Sequence, residues 1–259
     1  MRLLATTAFS LFGVIAGCQD SPAPEQTERT EQRDYRQWKL PGRLTEISGL
    51  AFTHDGRLLA HNDERGVIYE LDFEKGRITN EFKVAKRADF EGIATVGDDV
   101  FLITSSGTVV RTRLDGSAGE IIEPELANLC EIEGLATRDD RVIAVCKNIY
   151  DGPSDVIRIL FFDKRFNVAD TLDVRMPHKI RPSGIEWDPK RRHYLIVAAD
   201  RREIVTIDEP GRVIATQKLK KSRHRQPEGI AISESGKLFI ADEGGKGKGR
   251  LTVYPYPTT

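Results

Sequence analysis

A short phrase built around a glycine occurs five times in the chain and constrains the fold more than any other feature. The phrases are EISGLA from residue 46, DFEGIA from 89, EIEGLA from 131, RPSGIE from 181 and QPEGIA from 226. Aligned on Gly49, Gly92, Gly134, Gly184 and Gly229, they are spaced by 43, 42, 50 and 45 residues. This period is typical of the four-stranded blades of a propeller. The spacing therefore predicts five blades.

Each unit contains apolar runs rich in Val, Ile and Leu between turns with Gly and Asp, which indicates strands. The last unit is shorter than the others by about one strand. The segment 34–42, DYRQWKLPG, precedes the first unit and can supply that strand. Pairing the two chain ends closes the ring and removes exposed strand edges. We therefore predict an all-β, five-bladed β-propeller of four-stranded blades, closed by the N-terminal strand, with residues 34–259 as one domain.

The first 33 residues have the composition of a targeting segment and a tether. Arg2 is followed by an apolar stretch that ends in VIAGC, which resembles a bacterial lipoprotein signal. We expect residues 1–17 to be the signal peptide, Cys18 to carry the lipid, and the polar residues 18–33 to form a flexible tether. An ordinary secretory peptide or a short signal anchor is the alternative. Gln19 after the cysteine favours the outer membrane, facing the periplasm, over the cell membrane.

If the thiol of Cys18 carries the lipid, two cysteines remain in the chain, Cys130 and Cys146. They flank a predicted hairpin, CEIEGLATRDDRVIAVC, with its turn near Asp139 and Asp140. Folding that hairpin brings the two thiols within reach of a disulfide, which fits an exported protein. Two buried free thiols are the alternative.

The amino-acid sequences of the repeat units resemble those of a known family. They are similar to the SdiA-regulated family of exported bacterial proteins, which are relatives of NHL-repeat propellers. The segments that carry the resemblance are EISGLAF with LLAHNDERGVIYELD, DFEGIA, CEIEGLA with VCKN, RPSGIEW, and QPEGIAI with LFIADEGG. The resemblance implies a β-propeller at the cell envelope. It implies no settled biochemical activity.

The residue before each glycine carries an oxygen: Ser48, Glu91, Glu133, Ser183 and Glu228. In a propeller the first strand of each blade lines the central channel, so we expect these side chains to form a ring at one mouth. The second strand ends at the same mouth. Its endings add Asp63, Lys147, Asp200, Arg201, Asp242 and Glu243.

Converging carboxylates need a compensating positive charge. One solution is a hard divalent cation, Ca²⁺, held by oxygen ligands. We expect its ligands among Glu91, Glu133, Glu228, Asp63 and Asp242. The other solution is internal, with Lys147, Arg201 and Arg65 pairing with the acids. Neither His nor Cys joins the ring with zinc-like spacing.

Two other groups invite a catalytic interpretation. His61 beside Asp63 could act as a general base, although a structural histidine is the more common case. Ser105 and Ser106 lie outside any nucleophile elbow.

The charges are balanced, with 39 Lys and Arg against 40 Asp and Glu, which argues against a general nucleic-acid binder. The features together predict an envelope-anchored module that binds calcium and a small molecule or an envelope protein. The alternative is a metal-dependent hydrolase of the lactonase or phosphoesterase type.

Overall fold

Each glycine phrase lies at the first strand of its own four-stranded antiparallel sheet in the computed structural model, which describes residues 35–117, 119–124, 126 and 129–255. The predicted signal peptide, the predicted lipidation site Cys18 and the predicted tether lie outside the described residues. None of the described residues forms a helix with the length and apolarity of a membrane span.

The strands are numbered β1 to β20 in chain order, and four blades are continuous in sequence. Blade 1 contains β2 Ile47–Phe52, β3 Leu58–Asn62, β4 Arg65–Asp72 and β5 Arg77–Lys83. Blade 2 contains β6 Phe90–Val96, β7 Asp99–Thr104, β8 Val109–Arg113 and β9 Glu120–Ile122. Blade 3 contains β10 Cys130–Arg138, β11 Arg141–Ile149, β12 Val156–Phe162 and β13 Val168–Arg175. Blade 4 contains β14 Gly184–Asp188, β15 His193–Ala198, β16 Glu203–Asp208 and β17 Val213–Lys218.

Blade 5 joins the two ends of the chain. It contains β18 Pro227–Ile232, β19 Lys237–Asp242, β20 Arg250–Pro255 and, as its outer strand, β1 Arg36–Lys39. Arg36 pairs with Val253 and Lys39 with Arg250. A short 3₁₀ helix, Gly42–Leu44, links β1 to blade 1. The predicted five-bladed, all-β propeller and its closure by the N-terminal strand are confirmed.

The core lies between the blades. Both faces of each sheet are covered by a neighbouring blade, so the second strands β3 and β19 are buried along almost their whole length. The outer strand β5 is instead mostly exposed. Large aromatic side chains fill the gaps, as where Phe52 of blade 1 packs on Phe239 of blade 5 with ring centroids 5.0 Å apart. Burial on both faces explains why the inner strands read as continuous apolar runs.

Cys130 and Cys146 form a disulfide with their Cα atoms 5.7 Å apart. It joins β10 to β11, whose turn lies at Asp139 and Asp140 as predicted. The bond fits a location outside the cytoplasm. Because Lys147 follows Cys146 directly, the bridge also braces the strand end that carries this lysine.

Candidate functional site: an acidic funnel at one mouth of the propeller

The residue before the glycine is left out of the strand ladder in four of the five blades. In blade 1, for example, Ile47 pairs with Asn62 and the next pair is Gly49 with His61, so Ser48 has no pairing partner on β3. The same interruption occurs at the phrases of blades 2, 3 and 5. Such a β-bulge turns its extra residue away from the sheet. It directs these side chains towards the mouth.

The glycine that follows is required by close approach of neighbouring blades. A Cβ added to Gly92 would lie 2.5 Å from the backbone nitrogen of Leu135, and one added to Gly184 would lie 2.3 Å from the Glu228 carbonyl oxygen. Any larger residue would force the inner strands apart. The acid and the glycine are therefore parts of one local device, the first directed to the mouth and the second packed below it.

Together the strand ends enclose an open cavity of about 250 Å³, which we call the funnel. Its lining residues are Ser48, Asp63, Glu91, Glu133, Lys147, Arg181, Pro182, Ser183, Ala199, Asp200, Gln226, Glu228 and Glu243. Beneath it, between the glycines, only about 10 Å³ of free space is left. That is room for about one water molecule. A ligand of the funnel would have to enter and leave by the same mouth.

Nine of the eleven predicted mouth residues line the funnel. The two others are Asp242 and Arg201. Asp242 is fully buried, with its Oδ2 2.8 Å from Nδ1 of His224, because side chains alternate along β19 and Glu243 takes the funnel side. Arg201 donates from Nε to the Lys179 carbonyl oxygen at 3.2 Å and lies outside the lining. Neither residue is placed to bind a cation in the funnel.

The structure also adds residues that the sequence reasoning missed. Glu46, Arg181 and Gln226 each stand three positions before the glycine of their phrase, as do Asp89 and Glu131. We call these five residues the outer ring, and Ser48, Glu91, Glu133, Ser183 and Glu228 the inner ring. The signal was present as a second column in the aligned phrases. This column was not recognised because its residue types are mixed: three acids, one Arg and one Gln.

The buried funnel carboxylates hold their protons more tightly than usual. Burial raises the pKa of Glu228 to about 8, and the nearby charge of Glu243 adds to the effect. Burial, followed by the charge of Asp89, raises the pKa of Glu91 to about 7. Burial and Glu46 likewise raise the pKa of Glu243 to about 7. These three carboxyl groups are therefore largely or partly protonated at neutral pH, and a nearby positive charge would favour their ionised forms.

Lys147 supplies part of the internal compensation. Its Nζ bonds the carboxylate of Glu133, a side chain only 4% exposed, and lies 3.6 Å from Glu131. The ion pair with Lys147 therefore neutralises the charge of Glu133. Glu91 and Glu228 form no ion pair with the described residues, so the other inner-ring glutamates lack a bonded cation.

Three carboxylates at the rim have the geometry of a cation site. One oxygen each from Glu46, Asp63 and Glu243 lies within 4.8 Å of the others. This spacing suits Ca²⁺, which binds oxygen at about 2.3–2.6 Å. Asp63 Oδ1 is buried and has no hydrogen-bond partner. The group contains neither His nor Cys, which does not fit zinc.

Backbone bonds hold these strand ends together. The Asp63 N–H donates to the Glu46 carbonyl at 3.1 Å, and the Gly244 N–H donates to the Thr45 carbonyl at 2.7 Å. The rim group therefore joins blade 1 to blade 5. Its place is set by the fold and does not depend on flexible side chains alone.

His61 and the serines do not form a catalytic group. His61 is completely buried outside the funnel lining, and burial lowers its pKa to about 4. It is neutral at physiological pH and cannot reach a ligand. Ser105 Oγ donates to Asp89 at 2.6 Å.

The fold and the mouth define a five-bladed β-propeller with an acidic funnel that is closed at its base. The sequence model of the SdiA-regulated family matches residues 166–254, which confirms the resemblance to that family over this part of the chain. A comparison with curated protein sequences finds no match.

Solved structures with the same fold include enzymes. Glutaminyl cyclase from Myxococcus xanthus has a TM-score of 0.62 at 16% identity, with 84% of this chain and 93% of that chain covered. A luciferin-regenerating enzyme has a TM-score of 0.57 at 10% identity, with 85% and 95% covered. A streptogramin B lyase has a TM-score of 0.51 at 12% identity, with 85% and 97% covered. At these identities the similarity establishes the fold alone.

Proposed function

We propose that this protein is a lipid-anchored module of the cell envelope whose funnel binds a divalent cation, calcium, together with a small molecule or an envelope protein. One observation carries the proposal. Six carboxylates line the funnel, Asp63, Glu91, Glu133, Asp200, Glu228 and Glu243, against two cations, Lys147 and Arg181. A bound cation would offset this imbalance.

Calcium is favoured by the rim group of Glu46, Asp63 and Glu243. The three supply only oxygen ligands, at a spacing that suits this ion. The unpartnered Oδ1 of Asp63 supplies a lone pair that no protein donor uses. Calcium would contribute charge neutralisation there and an open coordination position for a ligand in the funnel.

The anchor rests on the sequence at Cys18, and the disulfide supports an exported protein. A lipid on Cys18 would hold the propeller at a membrane surface, with the outer membrane as the favoured side. Metabolic labelling with a radioactive fatty acid tests this step, and Cys18→Ala should abolish the label.

Calcium binding is tested by the melting temperature of the full chain at pH 7.5. A hundredfold excess over the Kd should stabilise the protein by about 2.7 kcal/mol. Asp63→Asn removes one rim charge and should abolish this gain. Asp140→Asn, on the exposed turn between β10 and β11, should keep it. A wild-type protein without a calcium-dependent rise, or an Asp63→Asn variant that keeps the full rise, would contradict calcium binding at the rim.

A metal-dependent hydrolase is the second candidate, favoured by the raised pKa of Glu91. A carboxyl group that titrates near pH 7 can exchange a proton with a reacting water at neutral pH. Turnover of lactone or phosphoester substrates that Glu91→Gln loses, while its calcium-dependent melting shift persists, would establish the enzyme. A binding module would show no turnover.

A further inference from the structure

The acids are concentrated on one side of the funnel, whereas blade 4 on the other side contributes a cation, Arg181, and a single acid, Asp200. Glu228 and Glu243 of blade 5, Asp63 of blade 1 and Glu91 of blade 2 form a continuous acidic arc. Across the axis, blade 4 has Arg181 in the outer ring, where three other blades have an acid, and Ser183 in the inner ring. The cavity is therefore polarised as well as acidic.

Arg181 is the cation that a ligand can use. Among the described residues none bonds its guanidinium, and the residue is exposed at the funnel. Its main-chain N–H donates to Asp200 Oδ1 at 3.3 Å. Lys147, by contrast, is held by Glu133 and Glu131.

The backbone that carries Arg181 is fixed. Pro182 follows it and restricts the conformation of the preceding residue. Ser183 Oγ donates to the Pro227 carbonyl at 2.8 Å and accepts from the Ala199 N–H at 3.1 Å. These bonds tie the segment to blade 5 and to β15. The base of the arginine side chain is thus held in place before any ligand arrives.

We propose that the small-molecule ligand of the funnel is a zwitterion whose ammonium group binds Glu91 and Glu228 and whose carboxylate binds Arg181. The planar guanidinium matches a carboxylate with two parallel hydrogen bonds. A simple anion would be repelled by the acidic arc, and a simple amine would leave Arg181 unused. The inference rests on the funnel as a ligand site and does not depend on calcium.

Size agrees with a small molecule that carries both charges. The cavity of about 250 Å³ is below the usual range for drug-sized ligands, and its base is closed. An amino acid or a dipeptide can touch both sides of such a space at once. A protein chain could present only its terminus.

The test is titration calorimetry on the full chain with probes matched in length. γ-Aminobutyrate carries both charges, butylamine only the ammonium, and butyrate only the carboxylate. Glycine and glycylglycine vary the distance between the charges. We expect at least one zwitterion to bind ten times more tightly than butylamine, and butyrate not to bind. Equal affinity for the zwitterions and butylamine, or no binding by any zwitterion, would overturn the proposal.

Arg181→Gln separates the two sides of the funnel. It should weaken zwitterion binding at least tenfold without weakening butylamine binding or the calcium-dependent melting shift, because loss of a positive charge can only favour a cation in the funnel. Arg165→Gln, on the exposed β12–β13 turn, is the matched control and should bind like the wild type. Unchanged zwitterion affinity in Arg181→Gln would refute the assigned carboxylate partner. A missing calcium response beside Arg181-dependent zwitterion binding would reject the metal alone and support this inference.

Discussion

At the scale of single residues, the inner-ring glutamates set the charge of the funnel. The bulge that aims each of them at the mouth also places it where neighbouring blades exclude water. Glu228 has a pKa of about 8, against an ordinary value of 4.5 for glutamate. A raised folded-state pKa means that ionisation costs stability. The cost is absent below about pH 4.5, grows as the pH rises, and is complete above about pH 8.

Glu228→Gln should remove this cost. Without calcium, the variant should be more stable than the wild type by about 1–2 kcal/mol at pH 8.5 and nearly equal to it at pH 4. Urea unfolding in EDTA at the two pH values measures the difference. Glu234→Gln, at an exposed turn, should show no such pH dependence. The same stability change at both pH values would mean that the Glu228 carboxylate is not destabilised by ionisation.

At the scale of elements, ring closure depends on where β1 meets blade 1. Arg36 makes a bidentate ion pair with Glu74, at 2.6 and 2.8 Å, and Trp38 packs on Gly76 of the β4–β5 turn. Gly76 has a φ of +62°, and a Cβ there would lie 2.4 Å from the Cβ of Trp38. The closing strand is therefore seated on a glycine that tolerates no side chain.

Two glycine substitutions test this contact. Gly56 has a φ of +82° but nothing within 4 Å of an added Cβ. Gly56→Ala should cost about 1–2 kcal/mol from backbone strain alone. Gly76→Ala should cost about 1–3 kcal/mol more, because Trp38 must move. Urea unfolding gives the cost, and hydrogen exchange should show faster amide exchange in β1 for Gly76→Ala alone. Equal costs would exclude a role of Gly76 in seating the closing strand.

At the scale of the whole molecule, the period of the glycine phrases predicts the number of blades, the closing strand and the common mouth. These follow from chain length and connectivity, which a sequence displays directly. The direction of the side chains at the strand ends does not follow from chain length and connectivity. Asp242 and Glu243 lie on opposite sides because side chains alternate along β19, but which of the two faces the funnel depends on the β18–β19 register, and the bulge at Pro227–Gly229 of β18 shifts that register by one residue.

The sequence also could not predict which charged side chains at the mouth pair with each other. Lys147 is predicted at the mouth, but its pairing with Glu133 depends on the β10–β11 register. The rim group joins Glu46, Asp63 and Glu243 across the boundary between the first and last blades. Two of these three were predicted at the mouth, and Glu46 was missed. Such groups arise only once the ring has closed.

The central claim is that the acids of this mouth meet at a calcium site. Crystals of the full chain soaked in calcium chloride, with anomalous diffraction data collected at long wavelength, test it most directly. The account predicts one peak about 2.3–2.6 Å from carboxylate oxygens of Glu46, Asp63 and Glu243. A map without a peak at this rim, with the three carboxylates bonded to water or to protein cations, would contradict it.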